Sequence, residues 1–245
     1  MSDAKIALVL LSHERAERVN RMVDRWRSIT RPYLIVVAFG GDASEFESIK
    51  GRKVFVDDSR LRTTDHQRER QSYTEVLRKS VQSIADDDWD ALYLAEFDML
   101  PIVSDLWKRL EQRAEAENAD LLGHRVWRVD GTFHPHYSNL ATAPEWFEWI
   151  RTFSIREESA VVLSCMGCGQ RWRREAIQAV VDIGEPVRAY LELHLPTAAH
   201  HLGYRVRGLS DQDQFVSSDQ LATSAIPSMK QNGAWVVHPV KGEWA

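Results

Sequence analysis

The chain has 245 residues, of which 44% are hydrophobic and 27% charged. That is enough apolar material for one sizeable core, and it excludes wholesale disorder. Lys and Arg total 31 against 36 Asp and Glu, a formal charge of -5, so no general electrostatic drive pulls the chain towards nucleic acid or anionic lipid.

Residues 6–11 form a continuous apolar run, Ile6-Ala7-Leu8-Val9-Leu10-Leu11. This is the signature of a strand buried on both faces, and it is far too short to span a bilayer, which needs roughly 20 apolar residues. Asp3 and Lys5 precede it and no small-residue cleavage site follows, so a soluble, cytoplasmic protein without a transmembrane segment is expected. Ser12 can cap a helix whose apolar stripe is Val19, Met22, Val23 and Trp26, and Pro32 breaks that helix. Residues 34–39 read as a second buried strand, ended by Gly40-Gly41-Asp42, and residues 53–56 as a third, ended by Asp57-Asp58. A long helix is expected from about 64 to 84, with Tyr73, Leu77, Val81 and Ile84 on one face. Carried backwards, that stripe includes Arg70 and His66. Either the helix end projects into water or it points at an anionic ligand. Residues 91–95 are a fourth buried strand, followed by Glu96-Phe97-Asp98.

Beyond Pro101 the pattern is less regular. A helix over 106–116 is followed by a strand over 121–129 and a polar loop over 132–139. Pro144 opens a short helix carrying Trp146, Trp149 and Phe153, aromatics that suit a core more than a sugar platform. A strand over 161–164 leads through the turn 165–169 into a helix over 171–181. Another helix covers 190–201, with Pro196 in or near its first turn. A short strand at 204–206, a loop-like stretch over 210–234 and a last strand at 234–237 place His238 at a strand end. The alternation of strands and helices predicts a mostly parallel sheet with helices on both sides. Ligands of such sheets sit beyond the carboxyl ends of the strands. Ser12, His13, Gly40 to Asp42, Asp57, Asp58 and Glu96 to Asp98 are found there.

Glu96 and Asp98 point the same way in an extended segment, so both can approach one hard cation. Mg²⁺ or Mn²⁺ on one or two carboxylates keeps positions open for phosphate oxygens. An acid at a strand end often simply meets water, but the preceding buried strand favours the metal reading. His238 is a workable further ligand, although a histidine in this setting is more often a loop residue. Arg60, Arg62, Arg68 and Arg70 suit a diphosphate or, with Asp65 and Glu69 interleaved, a solvated face; Arg70 is favoured by its stripe position. Cys165 and Cys168 cannot make a disulfide framework, and with no second pair they are half a zinc site. The small residues of a tight strand-to-helix turn account for them. The histidines at 134, 136, 200 and 201 show no familiar ligand spacing.

In order and spacing these segments resemble the nucleotide-sugar glycosyltransferases of the GT-A fold, in a form similar to glycosyltransferase family 2. Residues 6–15 resemble the opening strand and nucleotide-contacting turn, Arg70-Gln71 an arginine–asparagine pair, and Glu96-Phe97-Asp98 the D-x-D metal motif, with Glu96 replacing its first aspartate. Residues 166–175 resemble the turn bordering the donor sugar, and 190–197 the segment supplying a base in inverting members. The resemblance implies an α/β, GT-A-like single domain over 1–245: a Rossmann-like nucleotide-binding half to about 104, then a donor-sugar and acceptor half. It implies nucleotide contacts from Leu11, Ser12, Arg15, Asp42, Arg70 and Phe97. It implies a divalent cation, Mn²⁺ or Mg²⁺, held chiefly by Asp98 with Glu96 and His238. Glu192 would be the base if the reaction inverts, with His194 a second candidate. The implied partner is a nucleoside-diphosphate sugar, a UDP-sugar above others, with an unknown acceptor. Two alternatives stay open. A sugar-phosphate nucleotidyltransferase should carry a glycine-rich phosphate loop, which Ser12-His13-Glu14-Arg15 is not. A non-catalytic nucleotide-sugar-binding protein could use the same fold.

Overall fold

A computed structural model describes residues 4–57, 72–129, 137, 144–158, 160–183 and 190–240, with backbone only at 72–74 and 218–220. The N-terminal apolar run becomes β1 (Ile6–Ser12), buried at every position. Parallel neighbours explain that burial: β2 (Leu34–Phe39) lies on one side and β4 (Ala91–Glu96) on the other. β3 (Arg52–Phe55) extends the parallel run beyond β2. Past β4 come β9 (Gln170–Arg173), β6 (Leu121–Gly123) and β10 (Val206–Gly208), completing a seven-stranded sheet in the order β10-β6-β9-β4-β1-β2-β3. Only β9 runs against its neighbours. The α/β class and the mostly parallel sheet are as the sequence leads one to expect.

Alternate residues of β1 serve two cores, as strand geometry requires. Ile6, Leu8 and Leu10 face α1 (Ala16–Thr30) and α4 (Leu106–Ala116). Ala7, Val9 and Leu11 face α3 (Ser72–Ser83), α6 (Arg174–Asp182) and α7 (Leu191–His201). In the first layer Trp26, fully buried, stacks on Trp107 with ring centres 6.0 Å apart.

Several expectations are corrected. Ser12 does not cap α1; it ends β1, and its Oγ accepts the Glu14 N–H at 3.2 Å. The N–H of Ala16 is instead taken by Glu45 Oε2 at 2.8 Å, from the short helix α2 (Ala43–Phe46). The strand expected over 121–129 stops at Gly123. Arg125 adopts φ 52° and turns the chain, and β7 (Trp127–Arg128) then pairs with β8 (Leu163–Ser164) in a separate ribbon. Residues 170–173 are strand, not helix. Their side chains alternate, Trp172 joining the second core while Arg171 faces Glu111 of α4. Pro196 lies in the interior of α7, where it has no N–H to give Glu192; that carbonyl accepts the Cys165 N–H at 2.9 Å instead. The stretch 210–234 holds a 3-10 turn (Asp213–Phe215), β11 (Val216–Leu221) and α8 (Ile226–Gln231). β12 (Val236–Val240) lies between β11 and β5 (Leu100–Pro101) in a small second sheet, so His238 is inside a strand. The remaining helix, α5, spans Pro144–Phe153, with Trp146 buried as expected. Among the described residues, no helix is long and apolar enough to cross a membrane.

Candidate functional site

Strand register brings three distant segments together at the end of β4. In the β4–β9 pair Leu94 stands opposite Gln170, and two residues further on that antiparallel register sets Glu96 against Cys168. In the β5–β12 pair Leu100 stands opposite Val237, and one residue further on His238 meets the turn that carries Asp98. The Val240 N–H closes this junction on the Asp98 carbonyl at 2.9 Å. Ligand atoms of Glu96, Cys168 and His238 consequently lie within 4.8 Å of one another. His238 Nε2 is 3.4 Å from Glu96 Oε2 and 3.2 Å from Asp98 Oδ1. Gly169, at φ 71°, must be glycine here, since a Cβ would come within 2.6 Å of the His124 ring.

The histidine tautomer follows from its neighbours. Nδ1 of His238 lies 3.1 Å from the Ser217 carbonyl, which can only accept, so Nδ1 carries a proton. Nε2 then faces two carboxylates. A neutral ring would set its lone pair against them, so a positive charge belongs between these groups: a second ring proton or a cation. Burial opposes charge on the ring, but Cys168, Asp98 and Glu96 outweigh it and raise His238 well above its ordinary range. Burial, opposed by His238, pushes the Cys168 thiol up to about 12. Asp98 is 5% exposed, and its Oδ1 is buried without a hydrogen bond, with His238 Nε2 3.2 Å away. This orphaned oxygen and the mixed oxygen and nitrogen donors fit a divalent cation.

The recess beside this cluster is lined by Leu11, Ser12, His13, Gly40, Glu96 and Phe97. Glu96 belongs to both. Gly41 holds the recess wall, because a Cβ there would sit 2.6 Å from the His13 carbonyl oxygen. The Phe97 ring meets His13 edge-on at 5.3 Å and has the Arg18 guanidinium over it, also at 5.3 Å. Arg15 is exposed at the start of α1. Asp42 is exposed, and its Oδ1 caps α2 by accepting the Ser44 N–H and O–H at 2.9 and 2.8 Å. Arg70 lies outside the described residues, as do Arg60, Arg62, His66, Arg68, His134 and His136.

Glu192 is half-buried on the other side of the 165–169 turn, where its Oε1 accepts the Gly167 N–H at 3.2 Å. His194 is placed differently from the expectation of a proton acceptor. Its ring is buried, stacked on Trp149 at 5.2 Å, and Nδ1 faces Trp146 Nε1 at 3.4 Å. Burial pushes it down to about 4. It packs in an aromatic cluster with Trp146 and Trp149.

Cys168 is the member of the cluster that sequence reasoning passed over. Reading residues 171–181 as one helix removed β9, and with it the pairing that carries Cys168 to Glu96. The alternation of Gln170, Arg171 and Trp172 was the available signal.

No family model and no curated protein matches the chain. Among solved structures it is similar to the bifunctional IspDF of Campylobacter jejuni, at 11% identity and a TM-score of 0.44 over 84% of this chain and 50% of that one. It is similar to CMP:2-keto-3-deoxy-manno-octonic acid synthetase complexed with CTP, at 13% and 0.46 over 84% and 90%. It is also similar to mannosyltransferase PcManGT of Pyrobaculum calidifontis in complex with GDP-Man and Mn²⁺, at 12% and 0.45 over 85% and 55%. The chain thus spans about half the length of the first and third. These are likenesses of fold.

Proposed function

We propose that the protein is a metal-dependent glycosyltransferase whose donor is a nucleoside-diphosphate sugar, in the first instance a UDP-sugar. The observation that carries this reading is the buried, unsatisfied Asp98 Oδ1 beside His238 Nε2 and Glu96 at the carboxyl end of a central parallel strand. Asp98, Glu96 and His238 would hold a divalent cation, whose charge would stabilise a departing diphosphate. Leu11, Ser12 and Phe97 border the recess that would take the nucleoside, with Arg15 at its approach. Asp42 would reach the ribose or base, and Arg70 would add positive charge at the phosphates. Glu192 would accept the proton of the acceptor hydroxyl. Its hydrogen bond from Gly167 fixes the carboxylate and ties it to the 165–169 turn, which carries Cys168.

Calorimetric titration of UDP with and without Mn²⁺ tests the reading. Joint binding in the wild type and its loss in Asp98→Ala are expected; UDP binding indifferent to both overturns the cation's role. Pyrophosphate release from a nucleoside triphosphate and a sugar phosphate would identify a nucleotidyltransferase instead. Donor hydrolysis with no transfer to any acceptor offered would favour a binding protein.

A further inference from the structure

The proposed cation cluster contains a sulfur atom that neither the motif nor its spacing predicts. We propose that Cys168 is a ligand of the cation, so that the site prefers borderline ions such as Zn²⁺ and Co²⁺ to Mg²⁺. This inference rests on the proposed cation site and names the chemistry of its donors. Cys168 is 1% exposed, and its sulfur lies within 4.8 Å of the ligand atoms of both Glu96 and His238. The antiparallel β4–β9 register sets it there, and the left-handed Gly169 lets the chain turn directly after it. The independent sign of a missing ligand is Asp98 Oδ1, more than nine-tenths buried, without a hydrogen bond and directed at His238 Nε2. Opening towards solvent runs through Glu96, which is partly exposed and also lines the neighbouring recess. Two carboxylates, an imidazole and a thiol form a mixed donor set. Carboxylates alone suit Mg²⁺ and Mn²⁺, whereas adding a thiolate shifts preference towards Zn²⁺ and Co²⁺. As the S–metal bond forms, the Cys168 S–H proton passes to solvent and nothing is oxidised or reduced.

The experiment uses the full chain, freed of metal with a chelator and titrated with Co²⁺ alone. A near-ultraviolet thiolate-to-Co²⁺ charge-transfer band is expected in the wild type and in Cys165→Ser, and its loss in Cys168→Ser. Loss of an outer-shell partner already costs about 10- to 100-fold in metal affinity, so Cys168→Ser should weaken Zn²⁺ at least that much and leave Mg²⁺ little changed. Should Cys168→Ser fail to fold, X-ray absorption on the Zn²⁺-loaded wild type decides, with a sulfur shell at about 2.3 Å expected. Co²⁺ binding without the band, persistence of the band in folded Cys168→Ser, or a Zn²⁺ shell without sulfur overturns the sulfur ligand while the cation site stands. If neither Co²⁺, Zn²⁺ nor Mn²⁺ binds, with or without UDP, the cation reading falls and this inference with it.

Discussion

His238 Nε2 lies 3.2 Å from Asp98 Oδ1, an oxygen that no hydrogen bond reaches. The ring's other nitrogen is committed to the Ser217 carbonyl, so the pair is arranged around a charge rather than around a neutral hydrogen bond. A carboxylate left in this state costs stability unless something positive compensates it. A bound cation would therefore act on folding as well as on chemistry. At ligand concentrations of about 100 times Kd, stabilisation of about 2.7 kcal/mol is expected. In a thermal-shift assay Mn²⁺ and UDP together should raise the wild-type midpoint, and Asp98→Ala should remove the shift. A midpoint that rises equally in both proteins contradicts the placement of the ion.

Glu192 is held by the Gly167 N–H through Oε1, and a glutamine can keep that hydrogen bond while losing basicity. Glu192→Gln should therefore lower kcat by about 10²- to 10⁴-fold if Glu192 is the general base. Affinity for UDP and metal should stay near the wild-type value. A variant with full turnover removes Glu192 from the chemistry.

At Gly41 an added methyl would lie 2.4 Å from Phe39 Cζ and 2.6 Å from the His13 carbonyl oxygen. The His13 backbone cannot yield without moving the end of β1, which borders the recess. Gly41→Ala should thus weaken nucleotide binding about tenfold or more, a loss of at least 1.4 kcal/mol. Binding of Co²⁺ alone should fall much less, because of the proposed ligands only Glu96, paired with Leu11 of β1, adjoins the recess. Equal losses of both would point to general unfolding rather than a distorted recess.

The central strands were legible because β1, β2 and β4 form the parallel part of the sheet and pack apolar residues on both faces. The apolar stripe of α1 was legible by its period, with Val19, Met22, Val23 and Trp26 all buried. What lies outside that logic was not. β11 reads Val216-Ser217-Ser218-Asp219-Gln220-Leu221 and is defined by pairing with β12, not by hydrophobicity. The cap of α1 comes from Glu45, which no local pattern in residues 12–16 can reveal. Glu96, Asp98 and His238 could be singled out by residue type and strand position, but Cys168 depends on long-range register.

Arg171 illustrates the same dependence in stability. Its guanidinium donates to both carboxylate oxygens of Glu111, at 2.8 and 2.6 Å, and tethers β9 to α4. The Arg171 side chain is 8% exposed and that of Glu111 27%, so removing one partner strands a largely buried charge. Glu111→Ala should destabilise the protein by about 2–3 kcal/mol, reduced from the fully buried case by solvent access to Glu111. Glu111→Leu combined with Arg171→Met should recover most of that loss in urea unfolding. If the double variant is no more stable than Glu111→Ala, the tether is more than an ion pair.

The buried histidines make the fold lose stability as pH falls below neutrality. Burial holds His194 down to about 4, against an ordinary value of 6.5. The unfolded chain takes up that proton below about pH 6.5, whereas the folded chain resists until about pH 4. Stability from the neutral ring is therefore fully present above pH 6.5 and is lost as pH falls towards 4, by about 3 kcal/mol. Burial lowers His124, His200 and His201 as well, so the measured slope sums several groups. His238 runs the other way: raised in the fold, its contribution is complete below its ordinary value and fades as pH rises. Comparing His194→Gln with the wild type isolates one contribution, since glutamine can still accept from Trp146 Nε1 but does not titrate. Urea midpoints measured from pH 7 to pH 4 should fall less steeply in the variant. Parallel profiles would mean that the ring is already protonated, or accessible to solvent, at neutral pH.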